Sequence, residues 1–228
     1  MNHVIKWVAK LTGGESQPPE TKPFCGYVTG RRIESGSAEL QDAAFVLEIG
    51  SSILLTVADG AGGQSNGREA AERAIQSITY QARQLALSNP AECRRALNLV
   101  DQSVVETGGE CTGVLVYASD GQLTGASVGD SEAWLIQGDH FLRLTSYQHR
   151  RPFLGSGVAI PVPFGPVPFE GTLLVATDGL VKYVSPESIT QILKQYDVPE
   201  AAKKLVDLVR YASGNLPDDV TVLLARLA

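Results

Sequence analysis

Length, composition and charge exclude several classes of protein. The chain has 228 residues, 43% of them hydrophobic, and its 25 acidic and 19 basic side chains give a formal charge of −6, which suits one globular domain without a nucleic-acid partner. No apolar run approaches the roughly 20 residues of a membrane span, and we expect no signal peptide at the start of the chain. Cys25, Cys93 and Cys111 lack the spacing of a zinc site. We therefore expect a monomeric cytoplasmic protein with reduced thiols.

Residues 1–23 are predicted to be an extension of a single domain that spans residues 24–228. Apolar residues recur at helical spacing within residues 1–11, which predicts a short amphipathic helix that docks on its own domain. The segment from Gly13 to Pro23 is polar and contains prolines, as is typical of a linker.

The first half of the domain is predicted to contain a hairpin followed by two helices. Two apolar runs of strand length, residues 42–48 and 52–58, are separated by a Gly-Ser-Ser turn. Apolar residues then recur every three or four positions over residues 66–87, which predicts a long helix. Asn89 and Pro90 suit the cap and the first turn of a second helix.

The second half returns to strands and then to paired helices. Four short apolar runs between residues 111 and 144, separated by turn dipeptides, predict an antiparallel meander. Residues 146–171 are rich in proline and glycine and are predicted to be a loop. A strand, two helices and a strand follow, at residues 172–177, 186–195, 199–212 and 220–227. This order predicts an α+β fold in which helices cover sheets.

Aspartates stand at the ends of these predicted strands. Asp59 ends an apolar run and precedes the residues GAGG, Asp178 follows the run LLVAT, and the others are Asp42, Asp130, Asp218 and Asp219. A single Asp-Gly pair most often forms a turn, but a set of carboxylates that meets at one edge without matching cations is costly unless metal ions bind among them. Oxygen ligands without His or Cys favour Mg²⁺ or Mn²⁺.

Six short motifs occur in an order that resembles a known family. They are Q-D-A at residues 41–43, V-A-D-G-A-G-G at 57–63, C-T-G at 111–113, A-S-V-G-D-S at 126–131, A-T-D-G-L at 176–180 and D-D-V-T at 218–221. Together they are similar to the metal-dependent type 2C protein serine/threonine phosphatases, the PPM family, over roughly residues 24–227. The resemblance implies a four-layer αββα sandwich, two antiparallel β-sheets flanked by helix pairs, and this agrees with the predicted order of elements.

The resemblance also implies an activity and its main residues. Asp59 would bridge two Mn²⁺ or Mg²⁺ ions, with the Gly60 carbonyl on one of them, while Asp178 and Asp218 would hold the other; these three aspartates are the implied catalytic residues. The ions would lower the pKa of a bridging water and orient it towards a phosphoryl group, so that no protein nucleophile is needed. The implied substrates are proteins phosphorylated on serine or threonine, and a cognate Ser/Thr kinase is an implied partner.

Two further aspartates receive subsidiary roles from the resemblance. Asp42 would act near the second metal through water, and Asp130 would belong to a third, weaker metal site. Lys182 stands four positions after Asp178, where relatives have an acidic residue, so its ammonium could occupy the space of the third cation.

The chain departs from the family pattern at three other places. Ser37 stands where many relatives carry an arginine that clamps the substrate phosphate, and Ala61 replaces a candidate general acid. The segment between Leu144 and Gly171 is short, so the substrate-selecting flap of many relatives is reduced. Residues 149–151, His-Arg-Arg, lie in this segment and are either a solvated loop or a source of positive charge for the phosphate.

Other functions remain to be weighed. Residues 125–129 match the G-x-S-x-G elbow of serine hydrolases, but that elbow needs a following helix and residues 130–136 continue as a strand, so Ser127 is predicted to be a sheet residue. Residues 60–67 are glycine-rich but lack the Lys-Ser/Thr of a Walker loop. The alternative of another class is a weak or inactive phosphatase-like domain that binds phosphoproteins as a regulatory scaffold.

Overall fold

The computed structural model describes residues 26–36, 39–61 and 66–228, and these ranges contain ten strands and five helices. The strands are β1 (Tyr27–Glu34), β2 (Asp42–Ile49), β3 (Ser52–Asp59), β4 (Gly113–Ser119), β5 (Gln122–Val128), β6 (Glu132–Gln137), β7 (His140–Arg143), β8 (Val162–Pro168), β9 (Thr172–Ala176) and β10 (Val220–Leu227). The helices are α1 (Gly67–Gln81), α2 (Pro90–Val105), α3 (Asp178–Val181), α4 (Pro186–Gln195) and α5 (Val198–Val209). The predicted N-terminal helix and linker, Cys25 and Ser37 lie outside the described residues.

The strands pair into two antiparallel sheets of five strands each in the described part of the chain. Sheet A has the order β1-β10-β9-β6-β7, and sheet B has the order β2-β3-β4-β5-β8. The predicted hairpin is confirmed, because β2 and β3 pair from Ile49 opposite Ser52 at the turn to Asp42 opposite Asp59 at the open end.

The burial of β3 shows how the layers stack. Ile53, Leu55 and Val57 lie in the core between the two sheets, whereas Leu54 and Ala58 pack with α1 and α2 on the other face, since successive side chains of a strand point to opposite faces. Both faces are therefore largely apolar, which explains why hydrophobic residues occupy most of the strand instead of alternating with polar ones. β10 repeats the pattern and packs its outer face against the C-terminal helices. The predicted αββα sandwich of the α+β class is confirmed.

The predicted meander over residues 111–144 is wrong in one respect. β4 pairs with β5 and β6 pairs with β7, but β5 and β6 belong to different sheets. The chain crosses between the sheets at Gly129, whose φ of 101° favours glycine and whose Cβ would lie 2.7 Å from Thr112. Strand length and turn residues are alike in a hairpin and in such a crossing, so the sequence pattern does not separate them.

Two edge strands are absent from the predicted elements. β8 contains three prolines and lies within the segment predicted to be a loop, and prolines are tolerated there because an edge strand has one side without ladder hydrogen bonds. β1 carries a glycine and two arginines and pairs with β10 at the edge of sheet A. Neither segment has the apolar run that marks the central strands.

The predicted helices are confirmed with shorter ends. α1 ends at Gln81 and gives way to turns before residue 87, and α5 ends at Val209 rather than at residue 212. Asn89 caps α2 as predicted, because its side chain accepts a hydrogen bond of 3.0 Å from the Ala91 amide. Across the described ranges, each helix is too short or too polar to cross a bilayer.

Candidate active site

Asp42 and Asp59 meet because β2 and β3 are antiparallel. Asp42 begins β2 and Asp59 ends β3, so the two residues are direct partners in the ladder at its open end. The Gly60 amide continues the contact by donating to the Gln41 carbonyl at 3.2 Å. A carboxylate at the end of the apolar β3 is thereby held beside a second carboxylate.

Two threonine hydroxyls fix the buried Asp42 from the other sheet. Thr177, which follows β9, and Thr221, on β10, both donate to Oδ2 of Asp42, at 2.8 and 2.7 Å. Burial raises the pKa of Asp42 to about 7; the two hydroxyls oppose the rise, and the negative charges of Asp219 and Asp178 add to it. Its other oxygen, Oδ1, is buried without a hydrogen-bond partner among the described residues, which is costly unless a ligand or water binds there.

Asp59 is the centre of the electrostatic cluster. Its pKa is raised to about 10, mainly by burial and in addition by the negative charges of four other aspartates. Those four are Asp42, Asp178, Asp218 and Asp130. The structure thus brings together the five aspartates that the sequence pattern selects as metal ligands.

Asp130, at the crossing between β5 and β6, and Asp218, just before β10, complete the cluster. Burial is the main cause that raises the pKa of each of these half-buried carboxyls, and the charge of Asp178 follows. The crossing that carries Asp130 is braced by its neighbour Ser131, whose hydroxyl lies 2.7 Å from that of Thr112. Thr112 in turn accepts a hydrogen bond of 3.0 Å from the Asp59 amide, so the crossing and the end of β3 are tied together.

Few cations offset these carboxylates. Lys182 forms an ion pair with Oδ2 of Asp178, one turn earlier, and this contact is the first cause of its raised pKa. Asp218 and Asp130 also raise the Lys182 pKa. The ammonium therefore lies among three carboxylates, as the sequence position of Lys182 suggests. The charges of Lys182 and Arg150 both lower the pKa of Asp130.

Asp219 has a different role from its neighbour Asp218, a distinction that the sequence pattern did not reveal. The buried carboxylate of Asp219 accepts hydrogen bonds from the Ser35 hydroxyl and the Gly36 amide, both at 2.9 Å, and from the Gln41 amide at 2.6 Å. These bonds anchor the segment that leads into Asp42. The signal available in the sequence was the pair of aspartates itself, of which one is structural.

Two glycines of the motifs permit close packing around the cluster. A Cβ on Gly60 would lie 2.4 Å from the Gly67 backbone, so the start of α1 packs directly against the residue after Asp59. A Cβ on Gly179 would lie 1.9 Å from the Asp219 carbonyl oxygen. Residues with side chains at these two positions would push apart the elements that carry the aspartates.

The donor set fits hard divalent cations in chemistry and surroundings. It offers carboxylate oxygens, a buried Asp42 oxygen that has no partner among the residues that the structure describes, and the backbone of Gly60, free of a Cβ. In the described ranges, however, no three His, Cys, Asp or Glu side chains are grouped tightly enough to hold one ion, and Asp178 is paired with Lys182. The carboxylates share an electrostatic environment while their oxygens stand apart, as like charges do.

The serine-elbow interpretation is excluded by the position of Ser127. This residue lies within β5, its hydroxyl is buried, and the chain continues into β6 instead of a helix. Residue Ala61 lies beside the cluster, where its amide donates to the Glu110 carbonyl at 2.9 Å.

Solved bacterial phosphatases share this fold at low sequence identity. The catalytic domain of the serine/threonine protein phosphatase PstP, in complex with two manganese ions, matches with a TM-score of 0.75 and 21% identity over 88% of this chain and 97% of that chain. The PPM Ser-Thr phosphatase MsPP from Mycobacterium smegmatis, in complex with cacodylate, matches with a TM-score of 0.72 and 23% identity over 88% and 98%. PppA from Pseudomonas aeruginosa, a regulatory component of T6SS, matches with a TM-score of 0.69 and 22% identity over 89% and 98%.

A comparison with curated proteins finds no match. A comparison with protein families matches residues 49–228, most of the chain, to stage II sporulation protein E, SpoIIE. The matched range contains β3 and every later described element, and with them Asp59, Asp130, Asp178 and Asp218. The chain therefore belongs to the stage II sporulation protein E (SpoIIE) family, and it has the fold of the PPM serine/threonine phosphatases.

Proposed function

We propose that this protein is a metal-dependent phosphatase that hydrolyses phosphoserine and phosphothreonine monoesters in proteins. The observation that carries the proposal is the convergence of four other aspartates on Asp59, whose pKa is raised to about 10 by burial and by those four like charges. A fold has no structural need for such a cluster, because hydrophobic residues of similar size would pack at lower cost. The fold is shared with the catalytic domain of PstP, a serine/threonine protein phosphatase solved in complex with two manganese ions.

We assign the metal ligands to the residues that the family resemblance implies. Asp59 would contact two Mn²⁺ or Mg²⁺ ions, together with the Gly60 carbonyl, and Asp178 and Asp218 would bind one of the two. Asp130 would support a third, weaker ion, for which Lys182 competes through its ion pair with Asp178. When bound, the ions supply the positive charge that lowers the pKa of an attacking water and offsets the charge of the phosphoryl group.

Asp42 would orient the attacking water. Its Oδ2 is occupied by the hydroxyls of Thr177 and Thr221, so Oδ1, which no group of the described ranges contacts by a hydrogen bond, is the oxygen that can accept one from the water. A carboxylate held by two hydroxyls cannot rotate freely, and this restriction fixes the direction of attack. The rigid threonine contacts across both sheets keep Asp42 in place before the substrate arrives.

A regulatory scaffold is the second candidate, and the Lys182–Asp178 ion pair favours it. An ammonium that neutralises Asp178 reduces the need for a metal ion at that carboxylate. In this alternative, the domain binds phosphoproteins with little or no turnover. The other four aspartates keep no comparable ion pair among the described residues, so we favour the enzyme.

The deciding experiment measures turnover of phosphothreonine and phosphoserine peptides by the purified full chain during titration with Mn²⁺ and Mg²⁺. We expect metal-dependent release of phosphate that Asp178→Asn abolishes without loss of the fold. Asp120→Asn, a change on the exposed turn after β4, is the matched control and should keep full activity. A folded wild type without turnover at any metal concentration would support the scaffold instead.

The proposal extends to partners and location. Phosphorylated proteins are the substrates, and a Ser/Thr kinase that produces them is the natural counterpart of such an enzyme. Cys93 and Cys111 are free and buried, as expected for a protein of the reducing cytoplasm.

A further inference from the structure

The segment of residues 145–161, here called the 145–161 loop, is bonded to the edge of the aspartate cluster. The Gly129 amide donates to the His149 carbonyl at 2.9 Å, and Nε2 of Gln148 donates to the Ser131 carbonyl at 3.0 Å. These two bonds flank Asp130 on both sides. The first part of the loop therefore has a fixed position beside one of the cluster carboxylates.

The rest of the loop is anchored as well. Cys111 and Leu154 exchange two backbone hydrogen bonds of 3.0 Å. The buried carboxylate of Asp101, on α2, accepts from the amides of Gly155, Gly157 and Ala159 at 2.7 to 3.1 Å. Residues between these anchors are held at both ends, so their side chains project from a rigid base.

Arg150 lies between the anchors with its guanidinium uncommitted. It is exposed, and it forms no salt bridge with any carboxylate of the described ranges. The preceding residue, His149, accepts the hydrogen bond from the Gly129 amide, so Arg150 lies one residue from the contact that flanks Asp130.

Several other cations in the described part of the domain, by contrast, have partners. Lys182 is paired with Asp178, Arg32 with Glu34, and Arg68 with Glu72. Arg151, the immediate neighbour of Arg150, lies over the ring of Phe153 with its guanidinium carbon 4.8 Å from the ring centroid. The two consecutive arginines therefore differ: the Arg151 guanidinium is stacked on an aromatic ring, whereas that of Arg150 is available to bind a ligand.

We propose that Arg150 binds the phosphoryl oxygens of the substrate and is a specificity-determining residue of the site. A phosphomonoester carries nearly two negative charges at neutral pH and must approach five carboxylates, so positive charge at the rim is needed in addition to any bound ions. A guanidinium offers a planar pair of donors that matches phosphate oxygens in bidentate geometry. This inference rests on the proposed function for the substrate class, but its test does not require turnover.

The test compares Arg150→Ala, Arg150→Lys and Arg151→Ala in the full chain with saturating Mn²⁺. Two quantities are measured for each: the dissociation constant of inorganic phosphate, by calorimetry, and kcat and KM on a phosphothreonine peptide. We expect Arg150→Ala to weaken phosphate binding and to raise KM by roughly tenfold or more. Arg150→Lys should recover part of the loss because it keeps the charge without the fork, and Arg151→Ala should leave phosphate affinity unchanged.

Several results would overturn the inference. They are wild-type phosphate affinity in Arg150→Ala, an equal loss in Arg151→Ala, and no phosphate binding by the wild type. A change in Mn²⁺ affinity with unchanged phosphate affinity would mean that Arg150 only offsets the charge of Asp130, and it would overturn the inference too. If the wild type binds phosphate through Arg150 but does not turn over any phosphopeptide, the inference stands and the proposed enzyme activity fails.

Discussion

Replacing Asp59 with asparagine should stabilise the metal-free protein while it removes metal binding. Asparagine has nearly the same shape as aspartate but is neutral at every pH, so Asp59→Asn removes the free-energy cost of holding Asp59 protonated beside the four neighbouring aspartates. The same change deletes the carboxylate that we assign to the two ions. Compared with the wild type, the variant should therefore be more stable without metal and should gain less stability when metal is added.

The size of the effect follows from the Asp59 pKa. The folded value of about 10 lies above the ordinary value near 3.8, so the folded protein holds a proton that the unfolded chain releases, and stability falls as the pH rises between the two values. Each pH unit above 3.8 costs about 1.4 kcal/mol, which gives about 2 kcal/mol near pH 5 and about 4 kcal/mol near pH 7. Movement of the half-buried neighbouring aspartates relieves part of this cost. We therefore expect the free energy of unfolding of Asp59→Asn to exceed that of the wild type by about 2 kcal/mol or more near pH 7.

Thermal unfolding in the presence of EDTA measures this gain. At about 2 to 4 °C per kcal/mol for a chain of this length, Asp59→Asn should unfold at least about 4 °C above the wild type near pH 7 and by a smaller margin near pH 5. Added Mn²⁺ should raise the Tm of the wild type but not that of the variant, and Asp120→Asn on the exposed turn serves as the control. An Asp59→Asn Tm equal to or below that of the wild type near pH 7 would refute the electrostatic argument.

Two further predictions concern the residues that position the site. Thr221→Val deletes the 2.7 Å donor to Asp42 and leaves Oδ2 with Thr177 alone. We expect the free energy of unfolding, measured with denaturant, to fall by about 1 to 3 kcal/mol and kcat to fall as well, with both restored in Thr221→Ser. An unchanged kcat would contradict the positioning role. Asp101→Ala removes the acceptor of three amides in residues 155–159, so hydrogen exchange of that segment should accelerate, and exchange at the wild-type rate would show that the carboxylate does not anchor the 145–161 loop.

The central part of the fold could be predicted because its strands are buried on both faces. The sequences of such strands are apolar runs. Asp59 and Asp178 stand out because each follows a run of buried apolar residues. The edge strands β1 and β8 could not be predicted because an edge tolerates polar residues and prolines. The crossing at Gly129 has the turn signal of a hairpin, and only its contacts with Thr112 show that it joins two sheets.

The sequence by itself selected the candidate carboxylates, because a carboxylate at the end of an apolar strand is unfavourable without a ligand wherever the strand lies. The tertiary structure decided how those residues are held. Thr177 and Thr221 lie 135 and 179 positions from Asp42, and Asp219 binds a segment 178 or more positions away. Such contacts arise from the packing of one sheet on the other, and no local pattern encodes them. The available guanidinium of Arg150 depends in the same way on where the 145–161 loop is anchored.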